Sequence, residues 1–134
     1  MSDAVIPPRV QRFIAAHIDS IEKLEVLLLL RARPDREWSA REVSQELRIT
    51  ESSATARLED LTARRLLGKA AGSAPVYRYA PASADDDQDV GELQATYSTR
   101  RVSVISFIFS KPLDKVRGFA EAFRLKRDKD EGNG

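Results

Sequence analysis

The chain has 134 residues, of which 42% are hydrophobic and 32% are charged, which is enough for one domain with a buried core and an extension. It contains no cysteine, so disulfides, thiolate metal sites and cysteine nucleophiles are excluded. The formal net charge is only +1, so an argument for nucleic-acid binding must rest on the local arrangement of charge.

The first residues and the apolar runs favour neither secretion nor a membrane span. Residues 1–8 lack a basic segment followed by an apolar run, so no signal peptide is predicted. The longest apolar-rich stretches, 26–30 and 102–109, are far shorter than the ~20 residues that a membrane-spanning helix needs. A cysteine-free chain is compatible with a reducing compartment, and we expect a cytoplasmic protein.

The segment 9–33 predicts two helices, because its apolar residues recur at helical spacing with a break near Asp19. Asp19 and Glu22 have the spacing of a capping box, which predicts Asp19 as the N-cap of the second helix. That helix is apolar on more than one side and should be buried on several faces. Pro34 should end it, because the residue before a proline avoids the helical region.

Two further helices and a hairpin follow. Ser39 and Glu42 form a second capping box, which predicts the start of a short helix. A tight turn at 48–50 leads to Thr50, the predicted N-cap of a third helix that runs to about Arg65. The apolar stripe of the third helix consists of Ala54, Leu58 and Leu61. The Gly, Ser and Pro residues at 71–75 separate two short runs, which predicts a β-hairpin.

The last third of the chain begins with a change in composition. Residues 82–89 are rich in aspartate and are predicted to be a solvated linker, with the alternative that the acidic side chains mark the N-terminus of a helix near Val90. The segment 102–109 has helical spacing but is rich in strand formers, so helix and strand both stay open. Ser110 and Pro112 predict the start of a last helix.

The order helix, connector, helix, turn, helix, hairpin resembles the winged helix-turn-helix superfamily, in the MarR-like and ArsR-like group of bacterial regulators. Residues 38–47, 49–61 and 64–67 carry the likeness, which covers about 21–81. Many relatives have a glycine at the position of Arg65, which closes the helix in a left-handed conformation. Arginine there predicts a different closure or a longer helix, and a shifted wing.

The resemblance implies a mainly α fold with a small β-hairpin wing and a C-terminal helical extension. Together with the change in composition and the apolar spacing of the last third, it predicts a winged helix-turn-helix domain at 9–81, an acidic linker at 82–89 and the extension at 90–128. It further implies that the third helix, about 51–65, is a recognition helix in the major groove of double-stranded DNA.

The expected DNA-binding residues lie on this helix, before it and on the wing. They are Thr50, Glu51, Ser52, Ser53, Thr55, Ala56, Arg57, Arg41, Arg48, Arg64, Lys69 and Arg78. Arg57 is the first candidate for a guanine or phosphate contact. The alternative is that Arg57 pairs with neighbours such as Asp60 on its own helix and that Ser52 and Ser53 serve capping alone.

The extension contains more large apolar groups than a winged-helix core can bury, which predicts a homodimer interface. The predicted dimerisation residues are Leu93, Tyr97, Val104, Ile108, Phe109, Phe119 and Phe123. Two alternatives stay open: the extension folds back on its own domain, or it lies on a membrane surface, because basic residues flank the apolar run.

No enzyme signature occurs in the sequence. His17 is the only histidine, and there is neither a Gly-x-Ser-x-Gly motif nor a glycine-rich phosphate loop. The acidic run lacks the spacing of a calcium loop, so no metal site and no cofactor are expected. We therefore predict a non-enzymatic DNA-binding transcription regulator. A winged-helix protein-interaction module without DNA binding is the alternative, which Glu51, Glu59 and Asp60 keep open.

Overall fold

Six helices and three short strands make up residues 6–110, the part of the chain that the computed structural model describes. In chain order they are α1 Pro8–His17, α2 Ile21–Ala32, β1 Trp38–Ser39, α3 Ala40–Leu47, α4 Glu51–Ala63, β2 Leu67–Ala70, β3 Val76–Tyr79, α5 Ala84–Thr99 and α6, residues 101–110. The predicted mainly α fold with a small β-hairpin is therefore confirmed. Within this range no helix is long and apolar enough to cross a membrane.

The predicted break between the first two helices is confirmed, but the predicted cap is wrong. Ser20 is the N-cap of α2, and its hydroxyl accepts a hydrogen bond from the Lys23 N–H at 3.1 Å. Asp19 lies one residue before this cap and pairs instead with the Lys23 ammonium group at 2.9 Å. The helix ends at Ala32, ahead of Pro34 as predicted, and it is buried on several faces.

Both predicted caps of the helix-turn-helix are present. The Ser39 hydroxyl accepts from the Glu42 N–H at 3.1 Å, while the Glu42 carboxylate accepts from the Ser39 N–H at 2.9 Å. The Thr50 hydroxyl accepts from the Ser53 N–H at 3.0 Å and begins α4. The predicted apolar stripe of α4 is fully buried and consists of Ala54, Leu58 and Leu61.

The predicted hairpin is confirmed, and it belongs to a three-stranded antiparallel sheet of order β1-β3-β2. The additional strand β1 pairs Trp38 with Tyr77 and Ser39 with Val76. A two-residue strand has no periodicity of its own, so the sequence did not indicate it. Its pairing buries Trp38, which is 2% exposed, beneath the Arg36 guanidinium at 3.6 Å from the ring centroid.

The acidic segment 82–89 is not a linker. Helix α5 begins at Ala84, earlier than the predicted start near Val90, and the Ser83 hydroxyl caps it by accepting from the Asp86 N–H at 3.0 Å. The aspartates at 85–87 form its first turn, where the positive end of the helix dipole favours negative charge. The alternative interpretation of these aspartates as helix N-terminal residues is the correct one.

Helix α5 packs on α1 and is tied to α2 by an arginine. The Arg31 guanidinium donates to the Gln94 side-chain oxygen at 2.6 Å. Gly91 allows this approach, because a β-carbon there would lie only 3.0 Å from the Arg31 Nη2 atom. Residues 102–109 are helical, which settles the choice between helix and strand. The helix predicted after Ser110 lies outside the described residues.

Arg65 closes α4 in the conformation that was expected of a glycine. Its φ of 66° is left-handed, the Arg65 N–H donates to the Thr62 carbonyl at 2.9 Å, and the Leu66 N–H donates to the Leu61 carbonyl at 3.1 Å. This is the Schellman pattern, accompanied by burial of both leucines. The different closure and longer helix predicted from Arg65 are therefore wrong.

Replacing Arg65 by glycine should raise the free energy of unfolding by about 0.5–1 kcal/mol, because glycine adopts a left-handed φ without steric cost. Arg65→Ala is the matched control: it removes the same exposed side chain and keeps the strain, so its stability should stay close to that of the wild type. Urea unfolding measures both. Equal stabilities for the glycine and alanine variants would contradict the strain argument.

Candidate nucleic-acid interface

Helix α4 has three distinct faces that follow from its 3.6-residue turn. The buried stripe faces the core. An exposed face carries small and polar side chains, namely Ser52, Thr55, Ala56 and Glu59. A polar stripe, half-buried and about 100° around the helix axis from the exposed face, carries Ser53, Arg57, Asp60 and Arg64. The predicted recognition helix therefore divides its polar residues between two surfaces.

The exposed face has the steric properties of a surface that approaches another molecule closely. Ser52 and Ala56 are short, and the Thr55 hydroxyl donates back to the Glu51 carbonyl at 2.9 Å, so it lies close to the helix backbone. Thr50 and Glu51, at the positive end of the helix dipole, are also exposed. Of the residues predicted to bind DNA, these five lie together on one accessible surface.

The first turn of α2 holds the polar stripe at its N-terminal half. The Ser53 hydroxyl donates to the Glu22 carboxylate at 2.6 Å, and the Arg57 Nη2 atom lies 3.3 Å from the same carboxylate oxygen. Arg57, the first candidate for a base contact, is turned toward α2 and away from the exposed face. Its partner lies on another helix, so the alternative that Arg57 pairs with Asp60 on its own helix is wrong, whereas its contact with DNA stays a prediction.

A buried ammonium group holds the stripe at its C-terminal half. The Lys23 side chain is 5% exposed, and its Nζ atom lies 2.5 Å from the Asp60 carboxylate and 2.9 Å from the Asp19 carboxylate. The Arg64 guanidinium donates to Asp60 at 2.8 Å and to the Ala16 carbonyl at 2.7 Å. Arg64, predicted to reach the DNA backbone, thus links α4 to the end of α1.

The titration behaviour of Asp60 reflects these contacts. Burial alone would raise the pKa of Asp60, but the hydrogen bonds from Lys23 and Arg64 outweigh burial and hold the pKa below its ordinary value. The carboxylate therefore stays ionised in the folded protein at neutral pH and neutralises the ammonium group beneath it.

The wing is attached to α4 through Glu59, a contact that the sequence did not indicate. The Glu59 carboxylate accepts from the Lys69 ammonium group at 2.6 Å and from the Tyr77 hydroxyl. The hydrogen bonds from Lys69 and Tyr77 lower the pKa of Glu59, whereas burial and the nearby carboxylate raise the pKa of Tyr77 to about 12. Lys69, predicted to bind DNA, therefore already has a carboxylate partner.

Three cations predicted to bind DNA are exposed: Arg41 on α3, Arg48 at its C-terminal cap and Arg78 on β3. None of these three forms an ion pair with another residue in the range 6–110. Arg48 adopts a left-handed φ of 59°, which reverses the chain just before α4. As far as residues 6–110 are concerned, these arginines remain available to an external anion, in contrast to Arg57 and Arg64.

Of the predicted dimerisation residues, some are buried within the single chain and others are exposed or lie outside the described range. Leu93, Tyr97, Val104 and Ile108 are buried in the core of the single chain. On α6, Phe109 is 64% exposed and Val102 is 75% exposed, one helical stripe at i and i+7. Phe119 and Phe123 lie outside the residues that the structure describes. The available apolar surface on α6 is therefore smaller than predicted.

Comparison with solved structures places this fold among winged-helix proteins. The chain is similar to the YusO protein from Bacillus subtilis, with 13% identity over 90% of this chain and 84% of that chain and a TM-score of 0.52. It is also similar to MepR, a transcription regulator of the Staphylococcus aureus multidrug efflux pump MepA, with 11% identity over 93% of this chain and 91% of that one and a TM-score of 0.52.

A mutant of MepR from a multidrug resistant S. aureus clinical isolate gives a TM-score of 0.53 at 9% identity, over 90% of this chain and 87% of that chain. No protein-family model matches the sequence, and no curated protein matches it. At these identities the structural likeness establishes the fold. It confirms the predicted winged-helix fold, mainly α with a small β-hairpin wing.

Replacing Asp60 by asparagine should lower the free energy of unfolding at pH 7 by about 1–2 kcal/mol, because the buried Lys23 then keeps only Asp19 as a partner. The loss is smaller than that for a fully buried ion pair, because Asp60 is partly exposed to solvent. The folded pKa of Asp60 is depressed, so its contribution is present above its unfolded pKa of about 4 and is lost as the pH falls through the folded pKa.

Thermal or urea unfolding at pH 7 and at about pH 3 tests this expectation. The loss of stability on acidification should be smaller in Asp60→Asn than in the wild type. Asp35→Asn, which alters an exposed loop carboxylate, serves as the control and should behave as the wild type does. An Asp60→Asn variant with the wild-type acid response would contradict the assignment.

Proposed function

We propose that this protein is a sequence-specific DNA-binding transcription regulator that inserts α4 into the major groove. The observation that carries the proposal is the division of α4, which leaves a face of small side chains accessible while its arginines hold the helix in place. A major groove about 12 Å wide admits a helix. A face without bulky side chains allows the helix backbone to approach the base edges closely.

Each accessible residue has a contact that its chemistry favours. Ser52 and Thr55 can exchange hydrogen bonds with base edges, and the Ala56 methyl group can contact the methyl group of thymine. Glu51 can accept a hydrogen bond from the amino group of cytosine. Arg41, Arg48 and Arg78 supply the cations for backbone phosphates on either side of the groove; such contacts fix register without reading sequence.

We further propose that the regulator is a homodimer through α6. The exposed stripe of Val102 and Phe109 is apolar and belongs to the helix that leads into the last part of the chain. Two copies paired by a twofold axis would present two α4 helices to successive half-sites of a palindromic operator. The four predicted dimerisation residues that are buried, Leu93, Tyr97, Val104 and Ile108, act indirectly by anchoring α5 and α6 to the domain.

Ala56→Glu should abolish measurable DNA binding at low salt, because it places a carboxylate on the groove-facing surface of α4. Gln88→Glu adds the same charge at an exposed position of α5 and should bind as the wild type does. Fluorescence anisotropy with genomic and random-sequence fragments at two salt concentrations measures the affinities. The wild type should weaken by about 0.9 log unit per log unit of salt for each neutralised phosphate.

Equal DNA affinities of Ala56→Glu and Gln88→Glu would show that the exposed face of α4 does not contact the DNA. Absence of binding by a folded wild-type protein even at low salt would overturn the DNA-regulator proposal and favour the protein-interaction module. Thermal unfolding of both variants shows whether the added charge has disturbed the fold.

Phe109→Glu should shift the protein from dimer to monomer, because a carboxylate in an apolar interface is desolvated without a partner. Sedimentation equilibrium of the full chain over a range of concentrations measures the dissociation constant, which we expect to rise at least about tenfold, equivalent to about 1.4 kcal/mol. Gln88→Glu is again the charge-matched control. A dimer of unchanged stability in Phe109→Glu would place the interface elsewhere.

A further inference from the structure

The contact between Glu22 and Arg57 is an incomplete ion pair. Their closest atoms are 3.3 Å apart, and the same carboxylate oxygen already accepts the Ser53 hydroxyl at 2.6 Å. The Arg57 Nε atom is buried and has no hydrogen-bond partner within the described part of the chain. A guanidinium group has five N–H donors, and a well-placed anion takes two of them in parallel. Glu22 therefore keeps the Arg57 side chain in place but leaves part of its hydrogen-bonding capacity unused.

The position of this pair follows from the proposed docking of α4. When the exposed face of α4 points to the base edges, the polar stripe points about 100° away from them, toward one edge of the groove. The sugar-phosphate strands form the edges of the major groove. In that docking, Glu22 and Arg57, whose side chains are 37% and 32% exposed, would lie on the side of α4 along which a phosphate strand runs.

We propose that Glu22 is a positioning residue that keeps Arg57 bound within the protein and thereby limits its affinity for DNA phosphate. The inference rests on the proposed function and adds an intramolecular competitor to it. A phosphate that approaches this flank competes with the Glu22 carboxylate for the Arg57 guanidinium and is repelled by the same carboxylate. The free energy gained from an Arg57–phosphate contact is therefore largely offset by the free energy lost when the Glu22–Arg57 pair breaks.

This arrangement predicts an unusual pattern of affinities. Arg57→Ala alone should change the DNA affinity less than about twofold, because Arg57 gives little net binding while Glu22 holds it. Glu22→Gln should raise the affinity about fivefold at low salt, because the freed guanidinium can bind phosphate through two parallel hydrogen bonds. The glutamine side-chain oxygen can still accept the Ser53 hydroxyl, so the start of α4 keeps its contact.

A double-mutant cycle separates positioning from simple charge removal. The gain from Glu22→Gln should disappear when Arg57 is also replaced by alanine. The slope of log affinity against log salt should steepen by about 0.9 in Glu22→Gln, equivalent to one additional phosphate, and return in the double variant. Glu92→Gln, which removes the same charge from an exposed position on α5, should leave both quantities unchanged.

The experiment is fluorescence anisotropy with one DNA fragment at several salt concentrations, for the wild type, the two single variants, the double variant and Glu92→Gln. A gain that persists in the double variant, or one that Glu92→Gln shares, would overturn the role of Glu22 in positioning Arg57. That role is also overturned if the wild type binds DNA and Glu22→Gln binds it no more tightly. No binding by any of these folded proteins would instead overturn the proposed function, and this inference with it.

Discussion

The buried ammonium group of Lys23 is the constraint on which the placement of α4 depends. Removing a charge from water costs several kcal/mol unless oppositely charged groups surround it, and Lys23 meets two carboxylates, from Asp19 and Asp60. One precedes α2 and the other lies on α4, so separating the two helices would break the Lys23–Asp60 ion pair and leave Lys23 with one of its two carboxylates. Arg64 extends the network to the end of α1. Ionic contacts of the polar stripe thus hold α4, the helix that we propose enters the major groove, in its place.

This use of charge explains how a chain with a net charge of only +1 is compatible with a DNA-binding surface. Arg57 and Arg64 pair with the half-buried carboxylates of Glu22 and Asp60 and therefore contribute little to an external field. On the exposed face of α4, Lys69 compensates the charge of Glu59, and Glu51 is the remaining carboxylate. In the proposed complex, contacts with phosphate would depend on a few arginines from α3, its C-terminal cap and the wing, while the shape of α4 would determine which base edges it can approach.

The parts of the fold that sequence reasoning predicted are those fixed by neighbours along the chain. The Ser39–Glu42 capping box and the Thr50 cap involve residues three positions apart, and both are present. The side-chain contacts of α4 that sequence reasoning missed join distant segments. Ser53 and Glu22 are 31 residues apart, and Arg64 and the Ala16 carbonyl are 48 apart. No spacing rule connects such positions, so the sequence located the polar residues of α4 but did not indicate that Ser53, Arg57 and Arg64 have partners within the protein.

Arg65 shows how tertiary packing overrides a local preference. A left-handed conformation costs an arginine roughly 1–2 kcal/mol, and the sequence therefore favoured a different end for α4. The next residue, Leu66, is fully buried and donates its N–H to the carbonyl of Leu61, which is also fully buried. A longer helix would carry Leu66 away from this position and lose burial worth about 1.5–3 kcal/mol. The strain is the smaller of the two costs, so the helix ends where a glycine would have ended it, and the wing follows from there.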